Sequence, residues 1–109
     1  MNITIKEKEY RFKMTWGALY AFEQYPFAAE TVAGMGDVYK GLCLSFCILN
    51  AANTSFMEFE QFMEIMDDDK ELALDIVKKA ADLLDAWGKD LQQAQKKREE
   101  KEKAEKTNS

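Results

Sequence analysis

The feature that most constrains the fold is a pair of alternating apolar runs near the N-terminus that leads directly into a helix signal. Strict alternation of apolar and polar residues is typical of a strand with one buried face. Residues 2–14 are therefore predicted to form a β-hairpin, interrupted by the charged stretch 6–9, whose lack of Asn-Gly or Asp-Gly leaves the turn type open. Its apolar face must pack on helices, because an isolated hairpin is marginal in water. The alternating apolar residues are Ile3, Ile5, Tyr10, Phe12 and Met14.

Two helices are predicted to follow the hairpin. Thr15 is a favourable N-cap for the first, which Pro26 ends. The residues expected to recur along one face of this helix are Trp16, Leu19, Tyr20 and Glu23, flanked by Phe22 and Tyr25. After a connector at 27–36, in which Val32 and Met35 are expected to contact the core, Asp37 can cap a second helix. That helix is apolar on nearly all sides, so it is either buried centrally or meets a partner on its second face.

Two further helices are predicted in the second half of the chain. Ser55 and Glu58 have the spacing of a capping box for a helix from about residue 55. Asp68 is the expected N-cap of the last helix, which begins at about residue 68. The apolar stripe of that helix contains Leu72, Ile76, Ala80, Leu83, Trp87 and Leu91, and Val77 and Leu84 widen it.

These elements predict an α+β fold, mainly α, in which the N-terminal hairpin packs on a small bundle of about four helices. Residues 1–91 are assigned to a single globular domain. Residues 92–109 lack large apolar side chains and are predicted to be a charged extension, either helical or disordered. Gly41 is expected to allow close helix packing, and Trp16 and Trp87 are expected to anchor the core. The other expected core residues are Phe12, Leu19, Leu42, Phe46, Phe62, Ile76 and Leu83.

The charge distribution argues against a nucleic-acid partner. The formal net charge is −5, but residues 96–106 carry 6 basic and 4 acidic side chains, which leaves 9 basic and 16 acidic elsewhere. Nucleic-acid backbones select clustered Lys and Arg, which the acidic remainder lacks. The sequence contains no run long and apolar enough for a membrane span and no signal-peptide pattern. With only two cysteines, the chain is expected to be cytoplasmic.

The sequence also argues against an enzyme, a metal site or a cofactor. Histidine is absent, which removes the usual general base and metal ligand at neutral pH. There is no glycine-rich phosphate loop. Cys43 and Cys47 are too few for a zinc site and are interpreted as small buried hydrophobes. The acidic run 67–69 is interpreted as helix capping. The alternative, an EF-hand calcium-binding loop that starts at Asp67, does not match the sequence.

One apolar stripe has two interpretations. Phe59, Phe62, Met63 and Met66 recur at helical spacing, which most simply indicates a core face. Met and aromatic residues are also enriched at adaptable interfaces, so a partner surface is the competing interpretation of the stripe. Trp87 lies near the end of the packed sequence and can join such a surface. The candidate protein-binding residues are Phe59, Met63, Met66 and Trp87.

Two runs near the N-terminus resemble a known family. They are Ile-Thr-Ile-Lys-Glu-Lys-Glu-Tyr-Arg-Phe at 3–12 and Thr-Trp-Gly-Ala-Leu-Tyr-Ala-Phe-Glu at 15–23. They are similar to the start of the tail assembly chaperones of long-tailed phages, in which a hairpin with an aromatic second strand precedes a Gly-Ala-Leu…Glu helix and a small helical domain. The order of the later segments, including Ser-Phe-Met-Glu-Phe-Glu at 55–60, is also similar, so the resemblance covers roughly residues 1–90.

The resemblance implies a function that the residues alone do not name. Tail assembly chaperones of phages and prophages are thought to coat the tape-measure protein and to recruit tail-tube subunits during virion assembly. The chain is then expected to act in the cytoplasm of the host bacterium and to be absent from the finished particle. Two alternatives stay open: a structural component of the phage tail, and a generic cytoplasmic adaptor that binds one partner helix.

Overall fold

The computed structural model describes residues 1–24 and 36–107. It has an N-terminal two-stranded antiparallel hairpin followed by four helices, which confirms the predicted mainly helical α+β fold. The strands are β1 (Asn2–Ile5) and β2 (Lys8–Arg11), and the helices are α1 (Trp16–Glu23), α2 (Gly36–Ala52), α3 (Phe59–Asp68) and α4 (Lys70–Thr107). Pro26 and nearly all of the predicted connector, with Val32 and Met35, lie outside the described residues.

The hairpin turn is shorter than the charged stretch 6–9 suggested. Ile5 pairs with Lys8, so only Lys6 and Glu7 form the loop. Their φ angles are 48° and 68°. Positive φ at both loop positions is what a type I′ hairpin turn requires, and its twist matches that of the strands. Lys8 therefore belongs to β2, although no glycine or asparagine in the sequence marked the turn.

Asn53, just beyond the end of α2, holds the outer edge of β2. The backbone N–H of Arg11 donates to Asn53 Oδ1 at 3.0 Å, and Asn53 Nδ2 donates to the carbonyl oxygen of Arg11 at 2.9 Å. The same Nδ2 also donates to the carbonyl oxygen of Leu49 at 2.9 Å. The Asn53 side chain thus forms hydrogen bonds with backbone groups of Arg11 that would otherwise be unpaired at the edge of the sheet, and it fixes the hairpin to α2.

The N-cap of the first helix is confirmed, and that of the second is not. Thr15 has an extended backbone, and its Oγ1 accepts a hydrogen bond from the N–H of Ala18 at 3.1 Å. α2 is already helical at Gly36, so the predicted N-cap residue Asp37 lies inside the helix.

The caps predicted for the last two helices are each displaced. Ser55 has a φ of 58°, which is incompatible with the extended backbone of an N-cap, and α3 begins directly after Glu58. The capping box is therefore wrong. Asp68 is the last residue of α3, and the neighbouring Asp69 caps α4 instead, because its Oδ1 accepts the N–H of Leu72 at 3.0 Å.

α2 is the central helix of the core. Of the two interpretations of its apolar surface, central burial is confirmed, because most of its middle is inaccessible to solvent. A Cβ placed on Gly41 would lie 2.6 Å from Cγ1 of Val77 on α4, so the predicted role of this glycine in close helix packing is also confirmed. The buried residues of α2 are Leu42, Cys43, Leu44, Ser45, Cys47, Ile48 and Leu49.

The predicted core residues fall into two groups. Phe12, Leu42, Phe62 and Ile76 are buried, as expected. Leu19, Phe46 and Leu83 are half-buried and pack against the core from outside. The prediction that Trp16 anchors the core is wrong, since the side chain is 68% exposed.

The charged extension is helical as far as Thr107, so α4 continues without a break beyond the packed part of the chain. Residues 92–104 are all exposed. Arg98 Nε lies 3.4 Å from Glu102 Oε1, one helical turn away. Exposed pairs of this kind stabilise a helix by only about 0.3–0.5 kcal/mol each, so the extension depends mainly on helix propensity.

Removal of the chain from Lys96 onward is expected to leave the melting temperature nearly unchanged. Residues 96–104 are all exposed, so their removal takes no buried apolar surface from the core. The measurement is thermal unfolding followed by circular dichroism. As a comparison, truncation from Leu83 should lower the melting temperature, because Leu83 and Trp87 pack against the core. A fall of more than about 4–8 °C in the first variant would correspond to a loss of about 1 kcal/mol and would contradict the expectation.

Candidate protein-binding surface

An aromatic surface lies where α1 meets α4. Trp16 and Tyr20, one turn apart on α1, are 68% and 69% exposed. The Trp16 ring packs edge-to-face on Trp87 of α4, with centroids 4.5 Å apart and an interplanar angle of 71°. We call Trp16, Tyr20 and Trp87 the tryptophan surface. Exposed Trp and Tyr of this kind are typical of protein interfaces, where they are enriched among the residues that contribute most to binding.

The orientation of α1 explains why this surface is exposed. The helix packs on α2, and its inner face is formed by the fully buried Ala18 with the half-buried Leu19 and Phe22. A small residue at the contact lets the two helices approach closely. The larger rings at Trp16 and Tyr20 project from the opposite side. The face that the sequence predicted to be buried is therefore mainly the outer face of α1.

A groove of about 510 Å³ lies beside Trp87, between the open end of the hairpin and α4. Phe12 and Met14 are buried beneath it, while Leu83 and Trp87 are half-buried along one wall. The groove therefore continues the apolar character of the tryptophan surface. It is lined by Met1, Asn2, Arg11, Phe12, Lys13, Met14, Leu83, Ala86, Trp87 and Asp90.

A second aromatic cluster joins the hairpin, α2 and α3. Phe46 is its centre, with ring centroids 5.2 Å from Phe59 and 5.7 Å from Phe62. Phe56 lies 5.8 Å from Phe46 and 5.1 Å from the ring of Tyr10, the latter in edge-to-face contact. All except Phe62 are half-buried, so the cluster is partly core and partly surface.

The four candidate protein-binding residues do not form one surface. Phe59 and Met63 are half-buried on the α3 side, where Phe59 packs against Phe46. Trp87 packs against Trp16 instead. Met66 is only 3% exposed, so its assignment to an accessible surface is wrong. The reason is that the inner face of α3 consists of Phe62, Ile65 and Met66.

The binding candidates that sequence reasoning missed lie on α1 and the hairpin. The sequence pattern predicted that Trp16 and Tyr20 face inward. Arg11 and Lys13 are the polar residues that alternate with Tyr10, Phe12 and Met14 in the hairpin, and the pattern gave them no further role. The one available signal was Ala18, a small residue between the large ones, which is compatible with a close helix contact. The groove depends on the approach of the hairpin to α4, which no local pattern reveals.

The thiols behave as small core residues. Cys43 and Cys47 are both buried, as predicted. Burial raises the pKa of the Cys43 thiol, and a hydrogen bond with the Tyr39 side chain offsets part of that rise. Within residues 1–24 and 36–107, no three acidic, cysteine or histidine side chains converge as metal ligands. No helix in this part of the chain has the length and apolarity to cross a bilayer.

Comparison of the chain with protein-family models, curated proteins and solved structures gave no match.

Proposed function

We propose that this chain is a tail assembly chaperone of a long-tailed phage or prophage. It binds the tape-measure protein in the cytoplasm of the host bacterium and helps to recruit tail-tube subunits. It acts by binding, without cofactors and without catalysis. Support comes from the resemblance of residues 3–23 to that family and from the order of elements, in which a hairpin with an aromatic second strand precedes a capped helix and a small helical domain.

The observation that carries the proposal is the tryptophan surface. It lies partly on α1, the helix formed by the run that resembles the chaperones. In that run, Ala18 faces α2 while Trp16 and Tyr20 remain accessible. A protein that holds an apolar helical client needs such exposed apolar side chains outside its own core.

Co-expression with a tape-measure protein from the same phage or prophage tests the proposal. The chain is expected to keep that protein soluble and to co-purify with it. The double variant Trp16→Ala/Tyr20→Ala should lose both effects while keeping its fold, because both side chains are largely exposed. Leu74→Ala is the control. It also removes an exposed apolar side chain, but this side chain lies on α4 and is distant from Trp87. Equal client binding by the double variant and the control would contradict the role of this surface.

Mass spectrometry of purified particles separates the chaperone from a structural tail component. A chaperone should be absent from the finished particle, and detection at the copy number of a tail protein would overturn the proposal. If the tape-measure protein aggregates equally with and without the chain, the chaperone role is excluded. Absence of the chain from the particle would then leave the adaptor function as the remaining candidate.

A further inference from the structure

We infer that the groove beside Trp87 binds a protein segment in which a large apolar side chain is flanked by Asp or Glu. The inference deepens the proposed function, on which it rests for the identity of the protein that carries the segment. It assigns the chemistry of the bound segment, which neither the resemblance nor the sequence pattern specifies.

The apolar part of the groove is preformed. The buried Phe12 and Met14 form the base of the groove, and the half-buried Leu83 and Trp87 form a wall. Ala86 is small and exposed, so the wall is low at this point and leaves room for an incoming side chain. A volume of about 510 Å³ lies within the range of about 300–1,000 Å³ that is usual for binding pockets.

The rim of the groove is basic in a chain whose body is acidic. Arg11 and Lys13, both exposed, line it together with one carboxylate, Asp90. Within residues 1–24 and 36–107, neither cation lies within ion-pairing distance of a carboxylate. Outside 96–106 the chain has 9 basic and 16 acidic side chains, so two basic residues with a single acidic one beside an apolar opening depart from the charge balance of the body. Such a rim attracts a segment of opposite charge and sets its register.

The backbone beneath this rim is fixed in position. Asn53 accepts the N–H of Arg11 and donates to its carbonyl oxygen, so the Arg11 Cα is held independently of its side chain. Substitution of the Arg11 side chain therefore leaves these two hydrogen bonds available. A pre-positioned rim lowers the ordering cost that a bound segment has to overcome.

The probe is a short fluorescent peptide with one Phe between flanking Glu residues. The control peptide has Gln in place of every Glu. Fluorescence anisotropy with the full chain should show binding of the Glu peptide that is about tenfold tighter than that of the Gln peptide, with the difference shrinking at high salt. Arg11→Glu/Lys13→Glu should remove this preference and favour a Lys-flanked peptide instead. Equal affinity of the Glu and Gln peptides for the wild type would overturn the inference.

A matched pair on α4 tests the groove itself. Ala86 lines it, whereas Ala81 is an exposed alanine of the same helix that does not. Ala86→Glu should weaken binding of the Glu peptide by about tenfold or more, because it places a bulky anion in the groove. Ala81→Glu adds the same charge elsewhere and should leave binding nearly unchanged. Equal effects of the two variants would overturn the inference, and so would self-association of the wild type that Ala86→Glu abolishes, since the occupant would then be a second copy.

The same pair separates this inference from the proposed function. If the wild type and both variants keep the tape-measure protein soluble equally well, the groove is not the client site, and the inference fails while the chaperone role stands. If the Glu peptide binds in the groove but the tape-measure protein is never retained, the proposed function fails while the chemistry assigned to the groove stands.

Discussion

Replacement of Phe62 by alanine is expected to destabilise the domain by about 3–5 kcal/mol, the range for a fully buried phenylalanine. Its side chain has no exposed surface, and its ring lies 5.7 Å from Phe46 and 6.2 Å from Phe56. Truncation removes these contacts and leaves a cavity that close-packed neighbours fill only in part. The measurement is urea unfolding followed by tryptophan fluorescence and circular dichroism.

Phe46→Ala is the comparison for this experiment. Phe46 contacts the same cluster but is half-buried, so its truncation should cost clearly less than that of Phe62. The dependence of the unfolding free energy on urea should be unchanged in both variants, which would show that only stability has altered. A loss below about 0.5 kcal/mol for Phe62→Ala, which is usual for surface substitutions, would show that α3 does not pack on the core in this orientation.

The hairpin and the central helix were predictable because their patterns are long and consistent. Alternation across residues 2–14 selects one face, and the nearly all-apolar α2 can only be satisfied by burial. The turn was not predictable, because Lys6 and Glu7 adopt positive φ without the residues that favour it. The tertiary pairing of the strands determines this conformation, and the local sequence does not.

The faces of the short helices were harder to assign for a physical reason. α1 has 8 residues and is apolar on both sides, so its periodicity does not decide which side meets α2. Burial of the small Ala18 selects the inner face, and Trp16 is consequently exposed. On α3, Met66 is buried in the core, whereas Phe59 and Met63 are half-buried at the margin of the apolar stripe.

The candidate site was less predictable than the fold, because its parts are distant in sequence. Trp87 was selected as a candidate, but its partners in the tryptophan surface and in the groove come from α1 and the hairpin. Arg11 and Lys13 gain their significance only from proximity to the apolar wall. A pattern along the chain reports which face of an element is apolar, but it does not report which elements leave a gap between them.

Gly41→Ala is expected to destabilise the domain by up to about 2 kcal/mol, because overpacking a core usually costs about 1–3 kcal/mol. The added Cβ would lie 2.6 Å from Cγ1 and 3.2 Å from Cγ2 of Val77, so the Val77 side chain or the two helices would have to shift. This cost outweighs the gain of about 1 kcal/mol that alanine brings to a helix interior. Ser45, whose Oγ donates to the Gly41 carbonyl oxygen at 2.6 Å, is fully buried at the same contact and would be displaced with it.

Gly88→Ala is the matched control, because a Cβ at Gly88 meets nothing within 4 Å and the residue is also inside a helix. This variant should be more stable than the wild type by about 1 kcal/mol, so the two glycine substitutions are expected to change stability in opposite directions. In a double-mutant cycle, Val77→Ala should reduce the cost of Gly41→Ala, since it removes both methyl groups that the new Cβ would meet. If Gly41→Ala stabilised the domain as much as Gly88→Ala, the contact between α2 and α4 would have to be looser than the structure indicates, and close packing would not explain why glycine occupies this position.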